Sequence, residues 1–234
     1  MMLVKKWMQK TAITIDADDV VASADALLRK HAIRMLHIMR KGKLVGIITD
    51  RDIKIASASD VALENMNEDK DLLSDIKINS IMSLDPVTVP YDYTLEETVE
   101  KFLVLSISGM PVVNAQQNVI GVITRSDLFH LILILTGFGK KGLQIALEVQ
   151  DRPGCLKEIT DIIRDYGGRI ASILSTQERA DKGHRRLYIR VFDIDQPCLH
   201  YLKKTLKEKA SLLYIVDYDN GKREFFAEGG KHPE

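Results

Sequence analysis

Lys43-Leu44-Val45-Gly46-Ile47-Ile48-Thr49-Asp50-Arg51-Asp52-Ile53 is the stretch on which the reading of this chain turns. Leu44 to Ile48 is a continuous apolar run, the composition of a buried central strand. The run ends at a threonine, and an aspartate follows three residues later where a helical pattern begins. The same arrangement returns 75 residues on, as Asn118-Val119-Ile120-Gly121-Val122-Ile123-Thr124-Arg125-Ser126-Asp127-Leu128. Upstream, Trp7-Met8 before Ile13-Thr14-Ile15 matches Ile81-Met82 before Val87-Thr88-Val89 at an offset of 74. One match is compatible with chance; matches at three places in nearly constant register indicate a duplication.

Each copy reads as short strand, helix, strand, strand, helix. Val20, Leu27, Leu28 and His31 recur at helical spacing in the first copy, and Leu95, Val99, Phe102 and Leu103 in the second. Leu36-His37-Ile38 and Met110-Pro111-Val112-Val113 read as buried strands. Lys41-Gly42-Lys43 and Asn114 to Asn118 supply the hairpin turns. The polar, acidic stretch Ser57 to Lys77 is expected to extend a helix and then link the copies. Leu131 to Leu135, the longest apolar run, is far too short to span a bilayer and is expected to be the buried face of a helix.

Beyond the Gly-rich boundary at Gly137 to Gly142 the pattern changes. Leu143 to Val149 is a strand and Asp151-Arg152-Pro153-Gly154 a turn. Leu156 to Tyr166 is an amphipathic helix ended by Gly167-Gly168. Ile170 to Thr176 and Leu187 to Phe192 are strands around a polar tip, Pro197 to Ala210 a helix, and Leu212 to Tyr218 a last strand. The order βαββαβ over about eighty residues is the ferredoxin-like pattern. The tail from Asn220 is expected to be disordered.

Lys plus Arg and Asp plus Glu number 33 each, so the chain lacks the basic excess of a nucleic-acid binder. Two cysteines, Cys155 and Cys198, form no disulfide framework and fit a reducing cytoplasm. The N-terminus lacks the apolar core of a signal peptide. The six histidines are scattered, and no metalloprotease, Cys-x-x-Cys, P-loop or Gly-x-Ser-x-Gly pattern appears, so no catalytic residue, metal site or catalytic cofactor is expected.

Chemistry concentrates at the two Thr-x-x-Asp turns. A helix N-terminus carries partial positive charge and suits a phosphate. The carboxylate could accept both vicinal hydroxyls of a ribose, and Arg51 and Arg125 could neutralise phosphate charge. Thr-x-x-Asp at a helix start is equally a capping box, which needs no ligand. Spacing leaves both readings open.

The two copies resemble CBS motifs, on Gly-h-h-Thr-x-x-Asp in each (h apolar), Met-Pro-Val-Val in the second, and the Trp-Met and Ile-Met entries. The resemblance implies a pseudo-twofold pair, a Bateman module, with clefts that take AMP, ADP, ATP or S-adenosylmethionine. It assigns the ribose to Asp52 and Asp127 and the phosphate to Thr49 and Thr124, with Arg51 and Arg125 beside them. The adenine slot falls to Ile13, Ile33, Val87 and Ile107. His37 departs from the pattern, standing where the second copy has Pro111; a lone histidine in an apolar strand is expected to be a packed or surface residue, not a ligand. Residues 143–218, with Asp-x-Pro-Gly-x-Leu and then Gly168-Arg169-Ile170-x-x-Ile173, look like an ACT domain. That family pairs side by side and binds amino acids, which would place Asp151, Gly154, Arg169 and Ile170 at a ligand; Arg169 replaces a frequent Asn. The whole arrangement resembles the acetoin-utilisation family of CBS–ACT proteins.

The expected architecture is therefore α/β and α+β: CBS motif 1 over 1–72, CBS motif 2 over 73–137, an ACT domain over 143–219 and a tail over 220–234. The expected protein is a cytoplasmic, homodimeric, non-catalytic sensor that reports to an unidentified regulated protein. The alternatives are an S-adenosylmethionine sensor, or an adaptor whose ACT domain serves only dimerisation.

Overall fold

Both copies of the repeat take the expected order in the computed structural model, which describes residues 2–63 and 72–226. A one-turn helix α1 (Val4–Trp7) opens the chain. The first copy runs β1 (Thr14–Asp16), α2 (Val21–His31), β2 (Met35–Arg40), β3 (Lys43–Thr49) and α3 (Asp50–Leu63). A short strand β4 (Ser83–Leu84) precedes the second copy: β5 (Val89–Pro90), α4 (Leu95–Leu105), β6 (Gly109–Val113), β7 (Val119–Thr124) and α5 (Arg125–Leu135). Then come β8 (Leu143–Gln150), α6 (Cys155–Asp165), β9 (Arg169–Thr176), β10 (His184–Phe192), α7 (Gln196–Lys209), β11 (Ser211–Asp217) and β12 (Lys222–Phe225). The chain divides into two units, Met1–Phe129 and His130–Glu234.

The first unit holds two sheets, ordered β1-β2-β3-β4 and β5-β6-β7. In each, the opening strand lies parallel to the next and a hairpin follows. The first hairpin turns on Lys41 and Gly42, both at positive φ, which is the twist a two-residue hairpin loop needs. Leu36, Ile38 and Ile48 point into one core with Ile15, Val21, Ala24 and Leu28. Val89, Leu95, Phe102, Met110, Val112 and Ile123 are the buried counterparts in the second copy.

The entry segments cross over. Leu3 bridges Thr94 and Gln9 bridges Val122, so the segment that precedes the first copy is stitched into the second. Reciprocally, Lys77 bridges Val20 and β4 pairs with β3, so the segment before the second copy lies on the first. The repeat-unit boundaries expected at 72 and 73 therefore do not separate the two sheets.

The crossing explains the repeated glycine. A Cβ on Gly46 would lie 2.8 Å from Met82 Sδ and 2.9 Å from the Ser83 carbonyl oxygen. One on Gly121 would lie 2.9 Å from Met8 Sδ and 2.5 Å from the Gln9 carbonyl oxygen. Both clash with backbone, so only glycine fits beneath the crossing strand.

The second unit is a single sheet ordered β12-β11-β8-β10-β9. Without β12 it has the ferredoxin-like order, flanking strands on either side of a paired β8 and β10. Alternate residues Leu143, Ile145 and Leu147 on β8 and Leu187, Ile189 and Val191 on β10 meet Ile159, Ile163, Leu199, Leu202 and Leu206 from the two helices. Gly167 takes positive φ, and the Gly168 N–H returns to the Ile163 carbonyl, so α6 ends as the paired glycines indicate. Asp195 caps α7 through the Cys198 N–H at 2.8 Å.

Two expectations change. Residues 222–225 form β12, antiparallel to β11, so the tail is structured at least to Phe225. Leu131 to Leu135 is helical, yet only Leu131 is buried; Ile132, Leu133, Ile134 and Leu135 are exposed. Five consecutive residues turn through all azimuths of a helix, so such a run cannot occupy one face. Residues 64–71 of the expected linker lie outside the described residues, as do residues 227–234.

Candidate functional site

Both Thr–Asp turns fold the same way. Asp52 Oδ2 accepts from the Thr49 N–H at 2.8 Å and from Thr49 Oγ1 at 2.7 Å, and Thr49 Oγ1 accepts from the Asp52 N–H at 3.3 Å. Asp127 and Thr124 repeat those three bonds at 2.8, 2.7 and 3.3 Å. The capping box is thus real in both copies. Its pattern also occurs at Thr94–Glu97 on α4, a position with no role in the expected cleft.

The cap uses one oxygen of each carboxylate. Asp127 Oδ1 accepts from Gln9 Nε2 at 3.0 Å, across the crossed segment. Asp52 Oδ1 has no hydrogen-bond partner among the described residues. The threonines are committed: each hydroxyl donates its single proton to the aspartate, so neither Thr49 nor Thr124 has one left for a phosphate. They position the carboxylates. Among the described residues Arg51, exposed on the first turn of α3, has no partner. Arg125 differs: one N–H of its guanidinium donates to the Phe102 carbonyl at 3.0 Å, near the end of α4, where a cation complements the helix dipole. A guanidinium has five N–H donors, so this one bond does not take Arg125 out of reach of a phosphate.

The remaining expected residues gather at the same sheet ends. Thr14 is the register partner of His37 and Met35 that of Thr49, so Ile13, Ile33 and Thr49 share one end of the first sheet. Val89 is opposite Val112 and Gly109 opposite Thr124, which places Val87, Ile107 and Thr124 together in the second. The two ends meet. A Cβ on Gly109 would lie 3.0 Å from Met35 Cε, and Met35 and Gly109 occupy equivalent positions of the repeat. One bulky side chain and one glycine share the contact, because two bulky ones would not fit there.

His37 is buried, 1% exposed, as a packed residue. Its Nδ1 donates to the Ile13 carbonyl at 3.2 Å, beside the His37 N–H, which reaches the same oxygen. Burial lowers the imidazole below its ordinary pKa, and the bond to Ile13 only partly offsets this. Nε2 is buried with no partner among the described residues. An open groove of about 680 Å³ lies along β1 and α2, lined by Asp16, Asp19, Ser23, Leu27, Lys30 and Met39 among others. None of Thr49, Arg51 and Asp52 lines it.

In the second unit, Asp151 is spoken for. Oδ1 accepts from Arg185 Nε at 2.7 Å and Oδ2 from Gln177 Nε2, and the Arg185 bond holds the carboxyl below its ordinary range. Gly154 takes φ +88° as the N-cap of α6, with open space where a Cβ would be. Arg169 lies over the Phe192 ring and 3.5 Å from Asp193 Oδ2. Ile170 packs against the core. Among the described residues there is no cluster of His, Cys, Asp or Glu suited to a metal, and no helix long and apolar enough to cross a membrane.

A duplicated α/β module with crossed entry segments and facing Thr–Asp turns defines a class of paired-motif proteins. The chain belongs to the CBS-domain family: the CBS domain model matches residues 4–59 and 75–134. It is 35% identical over 132 residues to a CBS domain-containing protein of Dictyostelium discoideum, covering 56% of this chain and 91% of that one. It is 32% identical over 121 residues to inosine-5'-monophosphate dehydrogenase of Korarchaeum cryptofilum, covering 52% of this chain but only 22% of the enzyme. A solved Vibrio cholerae protein with the acetoin-utilization name AcuB shares the fold at 24% identity and a TM-score of 0.50, over 59% of this chain and 96% of that one.

Proposed function

We propose that this chain is a non-catalytic regulatory sensor that binds an adenine nucleotide (AMP, ADP or ATP) between its CBS motifs. The observation that carries the reading is the meeting of the two Thr–Asp sheet ends through Met35 and Gly109, with a carboxylate oxygen of Asp52 left unengaged. An ionised carboxylate oxygen has two lone pairs, enough for the two adjacent hydroxyls of a ribose. Asp52 and Asp127 hold ribose, Arg51 meets phosphate, and Ile13, Ile33, Val87 and Ile107 flank the base. Bound nucleotide biases the protein between two arrangements only by its difference in affinity for them. S-adenosylmethionine offers the same ribose without the phosphate and is the competing ligand. Titration calorimetry of the full chain with AMP, ATP and S-adenosylmethionine decides among them. The double variant Asp52→Asn/Asp127→Asn is expected to weaken binding of the true ligand at least about tenfold. Unchanged affinity in that variant refutes the assignment.

The second unit reads as an ACT domain that pairs with a second copy through β9. That strand is the edge of its sheet and leaves Ile173 and Leu174 exposed. Dimerisation is put before amino-acid binding, because each Asp151 oxygen is already anchored once, by Arg185 and by Gln177. Gly154, Arg169 and Ile170 remain the positions at which an amino acid would be sought. The two unpaired thiols, Cys155 and Cys198, suit a reducing cytoplasm, where the sensor would act on a regulated protein still to be identified.

A further inference from the structure

We infer that the two nucleotide clefts are unequal: the Asp52 cleft is the primary ribose-phosphate site, and Gln9 closes the Asp127 cleft. The inference rests on the nucleotide-sensor reading and deepens it.

Two independent differences point the same way. The first is the sugar end. Asp52 Oδ1 is unengaged, whereas Asp127 Oδ1 already accepts the Gln9 amide at 3.0 Å. With two bonds from Thr124 on Oδ2, that leaves Asp127 one free lone pair, too few for both hydroxyls of a ribose. The repeat equivalent of Gln9 is Ser83, which follows Met82 as Gln9 follows Met8. Both residues lie over the repeated glycine of the opposite copy. A serine side chain is two bonds shorter than glutamine, and Ser83 makes no bond to Asp52. The second difference is the phosphate end. Among the described residues Arg51 is exposed and unpaired, while Arg125 is half-buried and tethered by one N–H to the Phe102 carbonyl.

One feature opposes this. In the first cleft the Ile13 carbonyl is taken by the His37 N–H and ring, while Pro111 has no N–H to offer the equivalent Val87 carbonyl. The base end therefore favours the second cleft. A base–carbonyl bond is neutral, however, and a hydroxyl–carboxylate or guanidinium–phosphate bond is roughly twice as strong. The sugar-phosphate end decides.

Exchanging the two exposed residues tests the idea without touching the core. AMP is titrated into the full-length protein by calorimetry, with thermal denaturation confirming that each variant is folded. The wild type is expected to show one tight site per chain. Asp52→Asn should weaken that site at least about tenfold. Gln9→Ser should bring a second site into range, and Ser83→Gln should weaken the first. Two equal sites in the wild type, a tight site that survives Asp52→Asn, or no response to Gln9→Ser overturns the inference while leaving the sensor intact. A folded wild type that binds no AMP, ATP or S-adenosylmethionine overturns the sensor reading itself, and this inference with it.

Discussion

His37 shows how a single residue departs from its duplicate and acquires a physical consequence. The second copy has a proline here, with no proton to gain or lose. In the first copy the imidazole is buried, its Nδ1 bound to Ile13 and its Nε2 without a partner. Burial penalises the charged form, so the folded pKa lies below the unfolded one. The unfolded state then binds more protons as pH falls towards the ordinary imidazole value of about 6.5. Stability is therefore full above that value and declines on acidification through it, by at most about 1.4 kcal/mol per pH unit for one proton. His37→Leu should flatten the thermal-denaturation midpoint against pH between about 7.5 and 5.5. Parallel curves for wild type and variant would assign the slope to other groups. The sequence showed His37 as the odd residue out because the repeat supplied its comparison. It showed Thr49, Asp52, Thr124 and Asp127 for the same reason. It could not show that Gln9 reaches Asp127, or that Arg125 donates to Phe102. Those contacts join residues distant in sequence and leave no periodicity behind.

At the scale of elements, strands were legible where burial forces a pattern. β3, β7 and β8 are apolar or alternating because the sheets pack on one or both faces. Exposure of the apolar run in α5 was not legible, since composition reveals that a helix is apolar but not what lies beside it. The strand β12 was missed for a related reason: Lys-Arg-Glu-Phe carries little apolar signal, and its pairing with β11 is supplied by backbone. β9 is the other edge of that sheet, and its exposed Ile173 and Leu174 are unusual on an unprotected edge strand. If a second copy pairs there, each chain's β9 lies against its mate's about a twofold axis, and like charges placed on it would oppose one another. Ile173→Lys/Leu174→Lys should therefore convert a dimer to a monomer by light scattering, with the circular dichroism of the folded chain retained. A variant that stays dimeric would move the interface elsewhere.

The crossing of the entry segments is a property of the first unit as a whole, and the sequence displayed its ingredients without its outcome. The matching Trp7-Met8 and Ile81-Met82 steps revealed that each copy has an entry, and the repeated glycines that something passes close. Nothing local specified which sheet each entry would join, because pairing within a copy and pairing across copies satisfy the same backbone groups. The crossing makes the stability of one copy depend on chain that precedes the other. Residues 2–9 give the second copy a set of backbone bonds: Leu95 N–H to Met2, Val4 N–H to Tyr93, Lys5 N–H to Tyr91, and the reciprocal pair between Gln9 and Val122. At about 1 kcal/mol net for each, and with buried Val4 added, their loss amounts to several kcal/mol. That is a large share of the 5–15 kcal/mol that typically holds a domain together. Deleting residues 2–9 should therefore accelerate hydrogen exchange in β7 and at the start of α4, by about tenfold or more. Exchange in β3, which is covered by residues 83–84 instead, should change far less. An uncrossed module would do the reverse, losing protection in the first copy, whose own entry would then be the segment removed, while β7 stayed protected.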